Sequence, residues 1–396
     1  MVDDLRELRR ALAFRDPIHV TRPTLPGLDQ FRQRLEPVWR SHWLTNDGPF
    51  HRELEERLSA FLGVEHLSLM CNGTIALLMA LQALEITHGE VITTPFTFPA
   101  TTHVIHWNRL EPVFCDIEPR TFNIDAQQIE HHIGPRTRAI LAVHVFGNPC
   151  DVKTIDEIAR RHRLHVIHDA SHAFGVELEG RSVLTWGDLS TLSFHATKLY
   201  STIEGGGVVA STPEQKRRLD FLKNFGIADE ETVIGPGVNG KLNELQAIFG
   251  LLTLEGVREE IDRRLRITEI YRGGLRDIPG VTVPRPVTDV RHNGAYFPIL
   301  VDRDGFGMDR DALYRHLKLF NIHTRKYFHP LCSHFPCYAS LPSADPLRLP
   351  VAERVDSQVL CLPIFGTLPP DHAVRISEVI RQLQGRELTA ADAALH

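Results

Sequence analysis

The chain has 396 residues, 42% of them hydrophobic and 24% charged, with a formal net charge of -6. That length suits a large α/β domain with a smaller second one, and the composition is that of a globular protein. The acidic balance excludes a nucleic-acid footprint, and no apolar run is long enough for a membrane span. The charged residues 1–10 lack a signal-peptide core, so the cytoplasm is the expected compartment.

Residues 1–17 read as a polar helical extension, with the body of the fold starting at Ile18. Helical periods cover 28–43 and 50–62, the second ending on Gly63, an expected C-cap. Then the pattern alternates. Strands are expected at 66–70, 90–94, 112–116, 139–144 and 165–169. Helices are expected at 75–84, after the Pro/Phe segment 95–101, and at 152–163. Continuously apolar strands between helices imply a mostly parallel sheet covered on both faces, with ligands bound outside the carboxyl ends of the strands. Strands at 191–195 and 208–210 flank a glycine-rich loop. Helices follow at 214–222, 243–257 and 259–275. A Pro-punctuated stretch then leads into a smaller α+β part, with a strand at 296–301, a helix at 309–318, a Pro/His/Cys loop at 327–350 and a closing helix at 373–383. The expected division is an extension 1–17, a large domain 18–260, a smaller domain 261–386 and a tail 387–396. Basic pairs such as Arg160-Arg161 and Arg263-Arg264 read as solvated helix faces. The six cysteines are too sparse for a disulfide scaffold. Cys332 and Cys337 lie beside His329 and His334, but that spacing matches no common zinc pattern, and no metal is expected.

The strand-end rule gathers a set of chemical groups from distant parts of the chain. Gly73-Thr74 opens a helix directly after a strand, an anion site suited to a phosphate. Asp169 ends a strand near the interior of the sheet, where a carboxylate needs a cationic partner. Lys198 sits in the stretch Ser193-Phe-His-Ala-Thr-Lys198-Leu-Tyr-Ser-Thr-Ile-Glu204-Gly-Gly-Gly207, between two strands. Partial removal from water there favours its neutral, nucleophilic amine. A phosphate cradle, a strand-end Asp and a loop Lys together fit pyridoxal phosphate (PLP). That cofactor needs an amine to anchor it and a carboxylate to keep its ring nitrogen protonated. No dinucleotide-binding fingerprint competes.

Asn72-Gly73-Thr74, Pro95-Phe-Thr-Phe98, His144-Val-Phe-Gly147, Asp169-Ala-Ser-His172-Ala, Ser193-Phe-His-Ala-Thr-Lys198 and Glu204-Gly-Gly, taken in order, resemble the motif series of the DegT/DnrJ/StrS family. These are PLP-dependent nucleotide-sugar aminotransferases of fold-type I, aspartate aminotransferase-like, and the resemblance runs from about Ile18 to Leu383. It implies Lys198 as the Schiff-base lysine and proton shuttle, Asp169 on the pyridine nitrogen and Phe98 stacked on the ring. It further implies Gly73, Thr74 and Ser193 at the phosphate, and Asn239 reaching the phosphate of a neighbouring subunit, so that a homodimer shares its active sites. His172 stands where many members carry Gln beside the ring oxygen. Val20-Thr-Arg-Pro, Trp43-Leu-Thr-Asn-Asp-Gly-Pro and His144-Val-Phe-Gly-Asn-Pro-Cys-Asp look closest to members that move an amino group from L-glutamate to C4 of a dTDP-4-keto-6-deoxyhexose. Amination at C3 is the runner-up, and a non-catalytic sensor on this fold stays open. Sugar dehydratases on the same scaffold replace the lysine with His, which Lys198 disfavours. His195, Arg325, Tyr327 and His329 are expected near the substrate, with Arg325 a candidate for the pyrophosphate.

Overall fold

The computed structural model describes residues 2–386; the tail expected at 387–396 lies outside them. Its centre is a seven-stranded sheet of β1 (Leu67–Met70), β2 (Glu90–Thr93), β3 (Glu111–Phe114), β4 (Thr137–Val143), β5 (His165–Asp169), β6 (Leu189–Ser193) and β7 (Gly206–Ala210). The spatial order is β1-β7-β6-β5-β4-β2-β3. The pairs β2–β3, β2–β4, β4–β5 and β5–β6 are parallel. Only β7 runs against its neighbours, pairing antiparallel with both β6 and β1. It can do so because the loop from Ser193 to Gly206 returns the chain directly, without a crossover helix. β1, β4 and β7 bury nearly every residue, as strands covered on both faces do.

Local chemistry sets the helix boundaries. Asn72 caps the helix Gly73–Ala83, its Oδ1 accepting the Ile75 N–H at 2.8 Å. Asp151 likewise caps Val152–His162, and Asn243 and Gln246 form a capping box at Glu244–Glu255. The helix expected at 28–43 stops at Ser41, where His42 takes a left-handed conformation with φ 58°.

A second core belongs to the C-terminal part. The antiparallel sheet of Val281–Thr282, Phe297–Val301 and Val359–Leu362 packs on the helices Val257–Leu275, Arg310–Leu319 and Pro370–Leu383. The amino-terminal helix Val2–Leu12 lies on this core through Leu5 and Leu8. Phe14 follows, and its N–H bonds to the Phe320 carbonyl at 3.1 Å. The strand Val359–Leu362 and the helix Pro350–Gln358 before it had no expectation from sequence. A four-residue apolar strand directly after a helix leaves no period to read.

One expectation is corrected. Arg264 is not on a solvated face: it is 2% exposed and pairs with buried Glu260 at 2.7 Å. Its guanidinium also donates to the carbonyls of Ala295 and Ile364. Glu260 in turn accepts from the Thr24 hydroxyl and the Gly366 N–H. Charge pattern along a helix cannot reveal this, because the partners lie on other segments.

Candidate active site

The carboxyl ends of the strands bring the sequence-named groups to one rim. The helix after β1 starts at Gly73, packed against the end of β6. A methyl group at Gly73 would lie 2.8 Å from the Ser193 Cβ, and one at Gly206 would lie 2.6 Å from the Asn72 backbone. Glycine at both positions lets three chain segments meet. Asn72 takes the Ile75 N–H, and the N–H groups of Gly73 and Thr74, at the first helical positions, have no acceptor within the helix; a methyl group at Gly73 would also lie 3.1 Å from the Ser193 Oγ.

Asp169 closes β5 and is 5% exposed. Its carboxylate accepts the Thr101 hydroxyl at 2.8 Å and the Ser171 N–H at 3.1 Å. Thr101 sits on the helix Pro99–Trp107 and shares a 2.8 Å hydroxyl pair with Thr97. Sequence reasoning missed this hydroxyl relay, although both threonines lie in the Pro95–Thr101 motif itself.

Lys198 is half-buried on the loop after β6. Burial pulls its amine below the usual lysine range, while Asp169, and after it Tyr327, push the other way. Its Nζ donates to the Tyr296 hydroxyl at 3.3 Å. His172 is buried, and its ring stacks on Phe328, with centroids 5.6 Å and planes 3° apart. Its Nδ1 accepts the Phe146 N–H at 3.3 Å, so the neutral ring carries its proton on Nε2. Burial, and then the nearby Lys198 charge, hold His172 well below the usual histidine range.

Phe98 precedes the helix Pro99–Trp107 and is 57% exposed, although Phe96 two residues earlier is fully buried among Phe122, Phe146 and Phe328. With Tyr314, Arg325, Tyr327 and His329, Phe98 lines a cavity of about 410 Å³. His329 is oriented by Asp356 at 2.8 Å, and His334 by Glu353 at 2.7 Å. Cys332 is buried with its thiol on the Thr97 carbonyl, whereas Cys337 is exposed. His195 pairs through Nδ1 with Thr197, and its Nε2 faces Glu204 at 3.5 Å. Asn239 is exposed on the loop before Gly240, whose carbonyl accepts the Cys71 N–H at 2.7 Å.

Two other features lie apart from this chemistry. A larger cavity of about 690 Å³ is lined by a charged network that includes Glu55, Lys216, Asp220 and Lys223, with none of the groups above. His144, Cys150 and His168 bring ligand-capable atoms within 4.8 Å. However, the two imidazoles stack with planes 13° apart, so their in-plane lone pairs do not converge on one ion. His144 Nδ1 is also taken by the Cys150 N–H.

The profile of the DegT/DnrJ/EryC1/StrS aminotransferase family matches residues 28–381. The chain belongs to this family. It is 49% identical over 364 residues to an Escherichia coli dTDP-4-amino-4,6-dideoxy-D-glucose transaminase, covering 92% of this chain and 98% of the relative. A crystal structure of DesI, determined in the presence of its TDP-sugar product, superimposes with a TM-score of 0.90. It is 36% identical to this protein, with 96% of each chain covered. The Helicobacter pylori aminotransferase PseC, involved in the biosynthesis of pseudoaminic acid, gives a TM-score of 0.87 at 26% identity, covering 93% of this chain and 99% of its own. The fold is thus fold-type I, and this family of aminotransferases uses PLP. The rim fits that cofactor on three counts: a cradle too narrow for any Cβ at Gly73, a buried carboxylate hydrogen-bonded by the neutral Thr101 hydroxyl and Ser171 N–H, and a half-buried Lys198 amine whose charge that carboxylate favours.

Proposed function

We propose that this protein moves an amino group from L-glutamate to C4 of a dTDP-linked 4-keto-6-deoxyhexose, with PLP carried on Lys198, as a step in making an amino sugar. The observation that carries the reading is the 49% identity, over nearly the whole of both chains, to the E. coli dTDP-4-amino-4,6-dideoxy-D-glucose transaminase. When bound, PLP supplies an electron sink for the carbon next to the transferred nitrogen.

The protein's own groups do the rest. The N–H groups of Gly73 and Thr74 and the Ser193 hydroxyl hold the phosphate at the helix start. Asp169 keeps the ring nitrogen protonated, and the Thr101 hydroxyl fixes the rotamer of that carboxylate. Phe98 covers one face of the ring. His172 offers its Nε2–H to the ring hydroxyl and stays neutral while doing so. Lys198 takes a proton from the substrate carbon on one side of the transferred nitrogen and returns it to the carbon on the other side, and its lowered basicity suits both directions of transfer. The aromatic and cationic cavity of Phe98, Tyr314, Arg325 and Tyr327 takes the nucleotide end, with Arg325 toward the diphosphate. His195, its proton turned to Glu204, stands at the sugar side of Lys198. Asn239 completes the phosphate site of a second subunit. The apolar residues Trp39, Phe225, Val233 and Ile234, each about half exposed or more, favour such a homodimer.

Incubation with glutamate and a panel of 3-keto and 4-keto sugars on dTDP, UDP and GDP, with the new C–N bond located by NMR, tests the reading. The expected product carries nitrogen at C4 of a dTDP-sugar; nitrogen at C3 overturns the regiochemistry. Lys198→Ala is expected to lose the glutamate half-reaction entirely, and normal turnover by that variant overturns the lysine assignment.

A further inference from the structure

We propose that Tyr296 is a positioning residue for the transfer: its hydroxyl is the rest on which the Lys198 amine is parked whenever that amine is free of the cofactor. This rests on the assignment of Lys198 above.

Tyr296 comes from the C-terminal part, one residue before the strand Phe297–Val301, yet its hydroxyl lies 3.3 Å from Lys198 Nζ. The segment that carries it is anchored twice. Asn293 is 1% exposed, and its side-chain amide donates to the carbonyls of His172 at 2.9 Å and Phe174 at 3.0 Å. Its Oδ1 accepts the Ala295 N–H at 3.0 Å, closing a turn just before Tyr296. Arg264, itself locked by Glu260, donates to the Ala295 carbonyl at 3.4 Å. The Tyr296 ring is then wedged against His172, with centroids 4.6 Å apart, Phe146 at 5.5 Å and Tyr327 at 5.7 Å. Two buried polar anchors and three ring contacts fix one hydroxyl in space.

A lysine side chain is long and loses substantial rotamer freedom when held. Between the two half-reactions Lys198 is free, and each departure from the reacting carbon slows its return. A fixed hydroxyl within reach removes most of that search. Burial pushes the Tyr296 phenol far above the usual range, so it remains an uncharged OH at any working pH. The titratable and charged groups that face the pair come from several segments. Asp169, Tyr327 and His172 face Lys198, and Cys361, Arg264 and Asp169 face Tyr296. An acceptor for the ammonium favours the protonated amine, so removing the hydroxyl lowers the lysine pKa further.

Tyr296→Phe keeps the ring contacts and removes only the hydroxyl, so its thermal unfolding should match the wild type within a few degrees. In the cofactor-stripped full chain, the pH dependence of Lys198 modification by trinitrobenzenesulfonate, read by peptide mass spectrometry, gives the amine's midpoint. The expected result is a midpoint lowered by roughly half a unit or more in Tyr296→Phe. The loaded variant should lose about tenfold in kcat, with KM for both substrates nearly unchanged. An unmoved midpoint overturns the proposal whatever the rate does. Borohydride reduction of the wild type separates the two readings. If the cofactor is not fixed on Lys198, the underlying assignment fails. If it is fixed and the midpoint stays put, only the role of Tyr296 fails.

Discussion

Asp169 is a residue whose cost to the fold can be weighed against the role proposed for it in the chemistry. Its carboxylate is almost shut off from water, both of its hydrogen-bond donors, the Thr101 hydroxyl and the Ser171 N–H, are neutral, and the Lys198 amine that faces it is itself pulled by burial toward its uncharged form. An incompletely compensated buried charge costs several kcal/mol, and a protonated pyridine nitrogen would offset that cost. Asp169→Asn keeps the shape and removes the charge, so two opposite effects are expected. The cofactor-free protein should melt at the same temperature or higher, and the single-turnover rate with glutamate should fall by about a hundredfold or more. A stability loss together with an undiminished rate would contradict this account. The residue was legible because a strand-end acid invites the question of its partner. Its hydroxyl support was not: that Thr101 points at Asp169 depends on the packing of a helix 68 positions away in sequence. Tyr296 was illegible for the same reason, since nothing in its local sequence marks an aromatic that reaches a lysine on a distant loop.

At the scale of elements, the parallel strands were readable because continuous apolar runs between capped helices leave few alternatives. β5 spans residues 165–169 as expected. The helix expected at 28–43 ends two residues early because His42 turns left-handed. The helix expected at 259–275 is present as Val257–Leu275, and what is misread from sequence is the exposure of Arg264 on it. Its arginines look solvated in a charge pattern, but Arg264 and Glu260 form a buried pair that joins this helix to Ala295, Ile364, Gly366 and Thr24. Such a pair stabilises little as a whole, yet breaking it is expensive because the orphaned ion stays buried. Glu260→Ala is therefore expected to destabilise by about 3–5 kcal/mol, read as a lowered urea midpoint. A change under about 1 kcal/mol would mean that the pair is not a fixed joint. Because Ala295 adjoins Tyr296, the same variant should also displace the hydroxyl beside Lys198, which links a stability element to the transfer chemistry.

Among the described residues, exposed large apolar side chains occur along the whole chain, Trp107 and Leu347 included, and two groups of them bear on the proposed dimer. The helix Leu28–Ser41 packs on Glu244–Glu255 through Val38, Ile248 and Leu252, yet leaves Leu28 and Trp39 uncovered. Phe225, Val233 and Ile234 stand out on the loop that carries Asn239. The Gly240 carbonyl ties that loop to Cys71, two residues before Gly73. A two-fold axis near the Asn239 loop would let each Asn239 face the opposite Gly73-Thr74 segment, since an isologous interface brings the same patch of both copies together. The arrangement has a consequence that a monomer, or a dimer acting only in cis, cannot reproduce. Lys198→Ala and Asn239→Ala are each expected to be impaired when expressed alone. Co-expressed, they should form heterodimers in which one site combines an intact Lys198 from one subunit with an intact Asn239 from the other. Random pairing makes about half of the dimers mixed, with one good site in two, so activity should return to about a quarter of wild type. Purification with two different affinity tags isolates the mixed dimer, where the expected recovery is about half. If the isolated heterodimer is no more active than the better parent, Asn239 serves its own subunit's phosphate and the sites are not shared.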